Sequence, residues 1–392
     1  MQPLYAASMV CSMGMMGFVA AAGPLAKLLG LSAWQIGLTA TAGGVAWVLS
    51  ARAWGRAADR LGRKTVLRTG LIGFTVTYML LCVAAHLGVA WSLSPGLALA
   101  LLVVTRFGMG LTYSAIPAAS VAVIADHHGP ASRAGAMGKL SAAQSSGLLL
   151  GPAFVAVMAG GSPTVPLFLL ALLPIPALVY LVTVLPADVQ APDADAPQLS
   201  LRDPRVVRPV TVAFTVLIAV GIAQIVIGFI ALDRLNLDNS VALRVAGLAL
   251  TAVGLSLVVA QLAVKRLGLT PFRLMRIGAL TSAVGFVASA WAPSAVTLIA
   301  GYAFAGFGAG WVFPAISAAA ANAVSSQEQG RAAGAVSSAM GLGAMLAPLI
   351  GGSLYAVSDV TPLLVGAGAM GLIAVIASYP GAADGPDAET RT

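Results

Sequence analysis

Apolar runs long enough to cross a lipid bilayer recur along the whole chain. A helix needs about 20 consecutive apolar residues to span the hydrocarbon core. Six such runs lie at about 4–26, 36–55, 66–90, 95–124, 134–158 and 163–185. Six more lie at about 209–232, 241–264, 273–292, 294–323, 331–356 and 361–380. The pattern predicts an all-α integral membrane protein with twelve transmembrane helices.

The composition also favours lipid over water as the main solvent. Of the 392 residues, 59% are hydrophobic and only 9% are charged, and the mean hydropathy is +0.94. Soluble domains carry about 25% charged residues. The net charge of +8 does not point to nucleic acid, because the cations concentrate in short gaps between apolar runs. The expected partner is therefore the lipid bilayer, and no nucleic acid is expected.

The distribution of cations predicts the orientation in the membrane. Clusters of Lys and Arg follow the second and eighth runs, and Arg133 and Arg331 follow the fourth and tenth, whereas the opposite side holds only Lys27, Arg234 and Arg244. Loops on the cytoplasmic side of a membrane carry the excess of Lys and Arg. We therefore expect a multi-pass protein of the bacterial inner (cytoplasmic) membrane with both termini in the cytoplasm.

The twelve runs divide into two related halves. Residues 186–208 are rich in Pro and Asp and have no apolar face, which predicts a cytoplasmic linker. It would join a six-helix bundle at 1–185 to a second at 209–392 that ends in a short tail. A shift of 196 residues places Pro152 on Pro348. Duplicated halves predict a substrate site near the membrane midplane between them.

The loop between the second and third runs carries a charged motif. Residues 55–64 read GRAADRLGRK, with one acid among several cations at a fixed distance from two glycines. This loop resembles the signature G-x-L-A-D-R-x-G-R-K of the major facilitator superfamily, with Ala57 where leucine is usual. The resemblance implies the major facilitator fold, which has two pseudo-symmetric six-helix bundles. It also implies that a cytoplasmic gate is formed by Gly55, Asp59, Arg60, Gly62, Arg63 and Lys64.

Two further loops contain residues that resemble the charge-relay partners of that gate. Asp126 and Arg133 follow the fourth run, and Glu328 and Arg331 follow the tenth. In the family, the carboxylate at the Asp59 position ties the two halves together on the cytoplasmic side. Breaking such contacts would let the two bundles rock apart.

Two motifs inside the spans refine the resemblance. Arg106 and Gly110 resemble the R-x-x-x-G element of the family, and an arginine inside a membrane helix is functional by default; the alternative is that Arg106 snorkels from a helix end. Gly147, Gly151 and Pro152 resemble the G-x-x-x-G-P motif of the family's antiporters. This similarity implies the twelve-span drug/proton antiporter branch.

The family plan implies a cavity lined by spans one, four, seven and ten and flanked by spans two, five, eight and eleven. Polar and aromatic side chains at mid-span are expected to orient a ligand there, although each could instead serve helix packing or interface anchoring. The candidates are Trp47, Arg106, Tyr113, Gln144, Gln224, Trp311 and Phe313. A cavity that contains Arg106 and no interior acid should prefer neutral or anionic substrates over cations.

Proton coupling is implied by the resemblance, but no carboxylate falls clearly in the middle of a span. The candidate proton sites are therefore Asp59, Asp126 and Asp233, which lie at span ends. The sulfur-rich stretch at 9–16 leaves a Cu(I) carrier open, although its methionines cannot all share one helix face. No metal site and no cofactor are expected, because no Cys/His spacing resembles a closed metal site.

We therefore expect a monomeric secondary transporter that exports small amphipathic molecules, such as drugs or siderophores, by alternating access in exchange for protons. The alternative within transport is an uptake carrier for a carboxylate, a siderophore or copper. A membrane-embedded enzyme would need an acid/base or nucleophilic constellation at one membrane face. Three histidines and scattered acids do not supply one.

Overall fold

The fold was obtained as a computed structural model. It describes residues 1–127, 130–160, 162–185, 203–325 and 328–379. Most of the predicted linker and the predicted tail lie outside these ranges, so the boundary at 186–208 stays a prediction.

Helices form at all twelve predicted spans, and the described residues contain no β-strand. The first six spans are α1 (Gln2–Leu28), α2 (Ala33–Leu61), α3 (Arg63–Ala90), α4 (Pro95–Tyr113), α5 (Ala115–His127), α6 (Pro130–Val157), α7 (Thr164–Leu172) and α8 (Pro174–Val184). The last six are α9 (Val207–Phe229), α10 (Asn239–Leu267), α11 (Pro271–Ala290), α12 (Ala295–Asn322), α13 (Gln329–Tyr355) and α14 (Thr361–Ser378). A π-helical turn at Ile230–Arg234 continues α9. The predicted fold class is confirmed.

Spans four and six each consist of two helices because prolines interrupt the backbone ladder. Pro117 has no N–H to donate to the carbonyl four residues earlier, and the break between α4 and α5 falls at Ser114. Pro174 and Pro176 remove two donors in the same way, and the break between α7 and α8 falls at Leu173. Each span remains long enough to cross the membrane.

Ten of the spans meet a simple length and hydropathy criterion for crossing a membrane, whereas α2 and α11 do not. Both helices carry small residues where others carry leucine, and these residues allow close helix packing. A Cβ atom on Gly285 of α11 would lie 2.3 Å from the backbone nitrogen of Ala305 in α12. The Ser282 hydroxyl also donates to the Ala305 carbonyl at 2.6 Å. The small residues of α11 thus allow its close contact with α12, and Arg273 and Arg276 also lower its hydropathy.

The structure groups into two compact units that cut across the chain order. Unit 1 contains residues 1–195, 224–251 and 348–359, and unit 2 contains residues 196–223, 252–347 and 360–392. Unit 1 thus holds the first six spans together with one end of each of spans seven, eight and eleven. In this unit α1 is well enclosed, because 78% of the residues in its apolar 18-residue stretch are buried.

Candidate functional site

The motif loop at 55–64, called the gate loop below, turns the chain at one residue. Gly62 alone separates α2 from α3 and has φ +92°, a conformation that side chains with a Cβ rarely adopt. This tight turn brings the first residue of α3 next to the last turn of α2. The Arg63 guanidinium consequently forms an ion pair with Asp59 through Nη1.

Arg63 also reaches the end of the fourth span. Its Nε donates to Oδ2 of Asp126 at 3.2 Å, so one guanidinium bridges two carboxylates. The Arg63 side chain is only 11% exposed, against 34% for Asp59 and 20% for Asp126. Charge-assisted hydrogen bonds of this kind are stronger than neutral ones. The described partner of Asp59 lies in unit 1, and a tie from Asp59 to the second half stays a prediction.

The other gate-loop residues have separate roles. The Lys64 ammonium donates to the carbonyl of Leu185, just after α8, where a helix end leaves carbonyls unpaired. Arg60 is exposed. The space around Gly55 is open, so this glycine is not required by close packing. Arg133 lies in α6, and its side chain is outside the described part of the structure.

A similar bridge exists in unit 2, and sequence reasoning missed its arginine. Arg205 donates from Nη1 and Nη2 to the two Glu328 oxygens at 3.0 and 3.1 Å, and from Nη2 to Asp203 at 2.9 Å. The only available signal was the cluster of arginines that ends the predicted linker. Arg331 lies exposed in the first turns of α13.

The electrostatics of this second cluster keep its carboxylates ionised. Hydrogen bonds from Arg205, with a smaller contribution from Ser325, lower the pKa of Glu328 to about 2. The same arginine lowers the pKa of Asp203, and the two carboxylates raise the pKa of Arg205. Glu328 therefore stays charged throughout the physiological pH range.

Arg106 lies in α4 with its side chain enclosed by unit 1. The residue is 3% exposed, and its guanidinium carbon sits 4.5 Å from the centre of the Phe18 ring. Its Nη1 lies 3.7 Å from the sulfur of Met15 and 3.9 Å from that of Met109. Its Nε has no hydrogen-bond partner among the described residues. A buried cation is thus held by an aromatic face and thioethers, without a carboxylate.

Gly110, one turn beyond Arg106, brings α4 against α2. A Cβ atom on Gly110 would lie 2.0 Å from the carbonyl oxygen of Gly43, so any larger residue would push the two helices apart. Gly43 in turn sits against the Arg106 carbonyl, 3.1 Å from the position of its own Cβ. The motif therefore fixes the helix that carries Arg106.

Two aromatic candidates pack together on the walls formed by α2, α3 and α4. The Trp47 and Tyr113 rings pack edge to face with centroids 5.4 Å apart, and Tyr113 lies 5.9 Å from Phe74. The Tyr113 hydroxyl lies 3.4 Å from the hydroxyl of Ser12. Trp47 and Tyr113 are half-buried, so both retain accessible surface for a ligand.

The remaining cavity candidates lie in α6, α9 and α12. Gln144 and Gln224 are half-buried in α6 and α9. In unit 2, Trp311 donates from Nε1 to the Ala260 carbonyl at 3.0 Å and packs on Phe307 with centroids 4.8 Å apart, so it joins α12 to α10. Phe313 is half-buried in the same helix as Trp311.

The antiporter-like motif packs α6 against α1. A Cβ atom on Gly147 would lie 2.2 Å from the Met9 carbonyl oxygen, and one on Gly151 would lie 2.4 Å from that of Met13. The two glycines are one turn apart, so they allow backbone contact along a shared face. The motif therefore positions the helix that carries Phe18 and Met15.

At the end of unit 1 opposite the gate loop, called the Gly23 end below, glycines close three helix pairs. Gly23 of α1 meets Gly228 of α9, where a Cβ on Gly23 would lie 2.6 Å from backbone. Gly37 of α2 meets the Pro348 carbonyl at 2.2 Å, and Gly247 of α10 meets the Pro152 carbonyl at 2.6 Å, both measured from an added Cβ. Each of the two prolines that the 196-residue shift superimposes, Pro152 and Pro348, therefore contacts a glycine of another helix.

Asp233 lies at the Gly23 end in the π-helical turn. Its carboxylate is 3.5 Å from the Lys27 ammonium, with both side chains about half exposed. It also accepts a hydrogen bond from the Tyr355 hydroxyl at 3.1 Å. Nearby in the same turn, Arg234 forms an ion pair with Asp359. These ion pairs join parts of spans one, seven and eleven that belong to unit 1.

No group of three or more His, Cys, Asp or Glu side chains comes together among the described residues. Cys11 and Cys82 are buried free thiols. Met15 contacts Arg106 as described above.

Comparisons with known proteins agree with this architecture. Residues 4–274 and 212–390 match the sequence family described as the Major Facilitator Superfamily. A 100-residue stretch is 34% identical to a triacylglyceride transporter of Mycobacterium tuberculosis and 33% identical to one of Mycolicibacterium smegmatis. That stretch covers 26% of this chain but only 18% and 16% of the two relatives.

Solved transporter structures share the fold over almost the whole chain. A bacterial homolog of the human lysosomal transporter Spinster, in an inward-facing and occupied conformation, gives a TM-score of 0.76 at 14% identity, covering 96% of this chain and 95% of its own. The nucleoside transporter NupG gives 0.73 at 14% identity, covering 96% and 98%. The human organic anion transporter MFSD10 gives 0.66 at 19% identity, covering 96% and 98%.

Proposed function

The chain belongs to the Major Facilitator Superfamily and is a membrane transporter of that type, and from this premise we propose that it exports small amphipathic molecules by alternating access, in exchange for protons. The drug/proton antiporter branch, a bacterial inner-membrane location with both termini in the cytoplasm, and a monomeric state are parts of the same proposal. Drugs and secreted metabolites such as siderophores are the expected cargo.

The buried Arg106 beside an aromatic wall is the observation that carries the proposal. Burying a charge without a partner is costly, so a position that keeps one in a membrane helix needs a compensating role. The Nε–H of Arg106 has no hydrogen-bond partner among the described residues, and Tyr113, about two turns further along α4, packs on the half-buried Trp47. A substrate with an apolar body and one anionic or polar group would contact all three.

Similar proteins support an amphipathic cargo. The mycobacterial relatives are transporters of triacylglyceride, and one structural neighbour is an organic anion transporter. The first cargo is largely apolar and the second carries negative charge. An apolar wall with a single buried cation accommodates features of both, which favours neutral or anionic amphiphiles over cations.

Two kinds of contact support alternating access. At the Gly23 end, helices meet through glycines with backbone against backbone, and half-exposed ion pairs accompany them. At the gate-loop end, Arg63 holds Asp59 and Asp126. We place the gate-loop end in the cytoplasm because cations concentrate there. The contacts at the Gly23 end join the first six spans to spans seven, eight and eleven within unit 1, so substrate access from that end would require breaking them. The Arg63 contacts lie within the first half, and the tie that closes the gate-loop end against the second half is part of the proposal.

The shared arginine also suggests where a proton binds. Asp59 and Asp126 offer two carboxylates to one guanidinium, so the trio carries net negative charge, and a proton on either acid would neutralise it. Asp233 is the alternative, because it is half exposed and bonds to Lys27 and Tyr355. Protonating any of the three would weaken its ion pair, which couples proton binding to opening of one end.

The test measures accumulation of fluorescent and radiolabelled amphiphiles of each charge type in efflux-deficient bacteria, with and without an uncoupler. We expect the wild type to lower accumulation of anionic and neutral probes and the uncoupler to abolish this effect. Arg106→Ala should reduce export of anionic probes at least tenfold and that of neutral probes less than threefold. Arg68→Ala, which removes an exposed arginine from α3, is the matched control and should leave export unchanged.

Variants at the three acids separate the coupling schemes. Asp59→Asn or Asp126→Asn should abolish the uncoupler-sensitive component if the gate-loop acids carry the proton, whereas Asp233→Asn alone should do so if the Gly23 end does. Raised accumulation with the wild type would overturn export and indicate an uptake carrier. Equal effects of Arg106→Ala on anionic and neutral probes would overturn the role of Arg106 in substrate binding.

A further inference from the structure

A groove opens on the surface of unit 2 between α11 and α14. Its volume is about 380 Å³, near the lower limit for small-molecule sites. Its lining residues are Arg276, Leu280, Gly371, Ala374, Val375, Ser378 and Tyr379. Nearly all are small or apolar, and only Arg276 carries a charge. The groove therefore has one cationic point on an otherwise apolar surface.

The positively charged Arg276 lies at the end of the groove where α14 terminates. Arg276 is the sixth residue of α11, which begins at Pro271, and Tyr379 follows the last residue of α14. From Tyr379 to Gly371 the groove extends for eight residues of helix, or roughly 12 Å at 1.5 Å per residue. A ligand would thus have its charged group beside Arg276 and its apolar part along Leu280 and Gly371.

Other arginines add positive charge at this end of the groove. Arg208 donates from Nη2 to the carbonyls of Ile376 and Tyr379 at 2.9 and 2.7 Å and lies 4.3 Å from the centre of the Phe272 ring. It satisfies carbonyls at the end of α14, and no carboxylate of the described residues pairs with it. Arg273, one turn before Arg276, is exposed.

No carboxylate of the described residues forms an ion pair with Arg276. Among the described residues, the acids of unit 2 are Asp203 and Glu328. Arg205 binds both of them. The charge at the groove is thus available to an external anion. Arg is well suited to phosphate, because its planar guanidinium donates two parallel hydrogen bonds.

From the apolar lining, the membrane setting and the uncompensated Arg276, we propose that this groove binds an anionic phospholipid. The lipid phosphate accepts hydrogen bonds from Arg276, and an acyl chain fills the notch at Gly371, where an added Cβ would meet nothing within 4 Å. An unfilled notch at a lipid-facing surface would forfeit dispersion contacts. Basic pockets between membrane helices bind anionic headgroups by this combination.

The experiment compares dioleoyl phosphatidylglycerol with dioleoyl phosphatidylcholine on the purified full-length protein after delipidation in detergent. Native mass spectrometry counts bound lipids during titration. We expect the anionic lipid to bind at least tenfold more tightly, and Arg276→Ala to reduce this preference below threefold. Arg68→Ala is the matched control, because Arg68 is exposed and is likewise the sixth residue of its helix, α3.

A second pair of variants tests the acyl-chain notch without changing charge. Gly371→Leu fills open space and should weaken binding of phosphatidylglycerol at least fivefold, whereas Gly368→Leu, also at a position with open space but not in the groove lining, should not. Glycerol 3-phosphate at the same concentration should fail to compete, which separates a lipid from free phosphate.

Equal binding of the two lipids to the wild type would overturn the proposal, as would an equal loss of binding in Arg68→Ala and Arg276→Ala. A further outcome is a preference for the anionic lipid that emerges only after Asp384, Asp387 and Glu389 are neutralised. That result would assign the groove to the chain's own C-terminal residues and would also overturn the proposal. Weakened binding in both Arg276→Ala and Gly371→Leu, with both controls unaffected, would support it.

Discussion

Two clusters in this protein have the same composition of charges but different surroundings. Arg63 bridges Asp59 and Asp126 in unit 1, and Arg205 bridges Asp203 and Glu328 in unit 2. Asp126 precedes α6 and Glu328 precedes α13, so these two acids occupy matching positions in the two halves. The arginine side chains differ in exposure, at 11% for Arg63 and 47% for Arg205.

The difference arises from where each arginine sits in the chain. In the first half the arginine starts α3 immediately after the Gly62 turn, so the helix ends themselves hold it. In the second half the corresponding loop, at 265–273, reads KRLGLTPFR and has no acid. The bridge is formed instead by an arginine that precedes α9. The same electrostatic arrangement is thus built twice, once within packed helix ends and once on an exposed segment.

The largest effect is expected from Arg63→Ala. Removing the guanidinium leaves two partly buried carboxylates without their partner, which should cost roughly 1–3 kcal/mol of stability and reduce export at least tenfold. Thermal unfolding in detergent and the accumulation assay measure the two effects. Arg63→Lys should retain only part of the activity, because an ammonium lacks the planar fork that reaches two carboxylates. Unchanged export in Arg63→Ala would contradict a gating role for this cluster.

A smaller effect is expected from Arg205→Ala. Exposed ion pairs contribute little because water and salt screen them, so export should fall less than threefold and the thermal midpoint should hardly move. The same two assays apply, with Arg68→Ala as a control for the loss of an exposed arginine. A loss as large as that in Arg63→Ala would show that exposure does not distinguish the two clusters.

The smallest effect is expected from Glu328→Gln on the pH profile of export. A carboxylate whose pKa is lowered on folding stabilises the folded state above its ordinary pKa, near 4.5, and loses this contribution as the pH falls towards about 2. Glu328 is therefore ionised at every pH from 5.5 to 8.5, and the shape of the profile should match that of the wild type. A shifted pH profile in Glu328→Gln would contradict the conclusion that Glu328 stays ionised over this pH range.

Part of the gate could be predicted from sequence because its geometry is local. The Gly62 turn and the Asp59–Arg63 pair involve residues at most four positions apart, and the motif letters specify both. The Arg63–Asp126 contact joins residues 63 positions apart and depends on how α3 packs near α5. Sequence reasoning named both residues as gate candidates but did not pair them. Arg205 was noted only as a cation of the predicted linker.

The cavity candidates illustrate the same limit. Their selection rested on residue type and depth along a span, which does not specify the direction in which a side chain points. Trp47 and Tyr113 come together in unit 1, whereas Trp311 uses its indole N–H to hold α10. A rotation of about 100° per residue separates neighbouring positions on a helix, so packing decides which side chains meet.

The sequence by itself determined that this protein is a twelve-span transporter of the Major Facilitator Superfamily. Hydrophobic length measured against bilayer thickness specifies the spans, and the gate-loop motif specifies the family. Only the tertiary structure decided which charges share an arginine, why Pro152 and Pro348 each meet a glycine of another helix, and where α11 and α14 leave a groove with one cation. These features depend on distances between helices far apart in sequence, and small residues allow those distances without encoding which helix will be the partner.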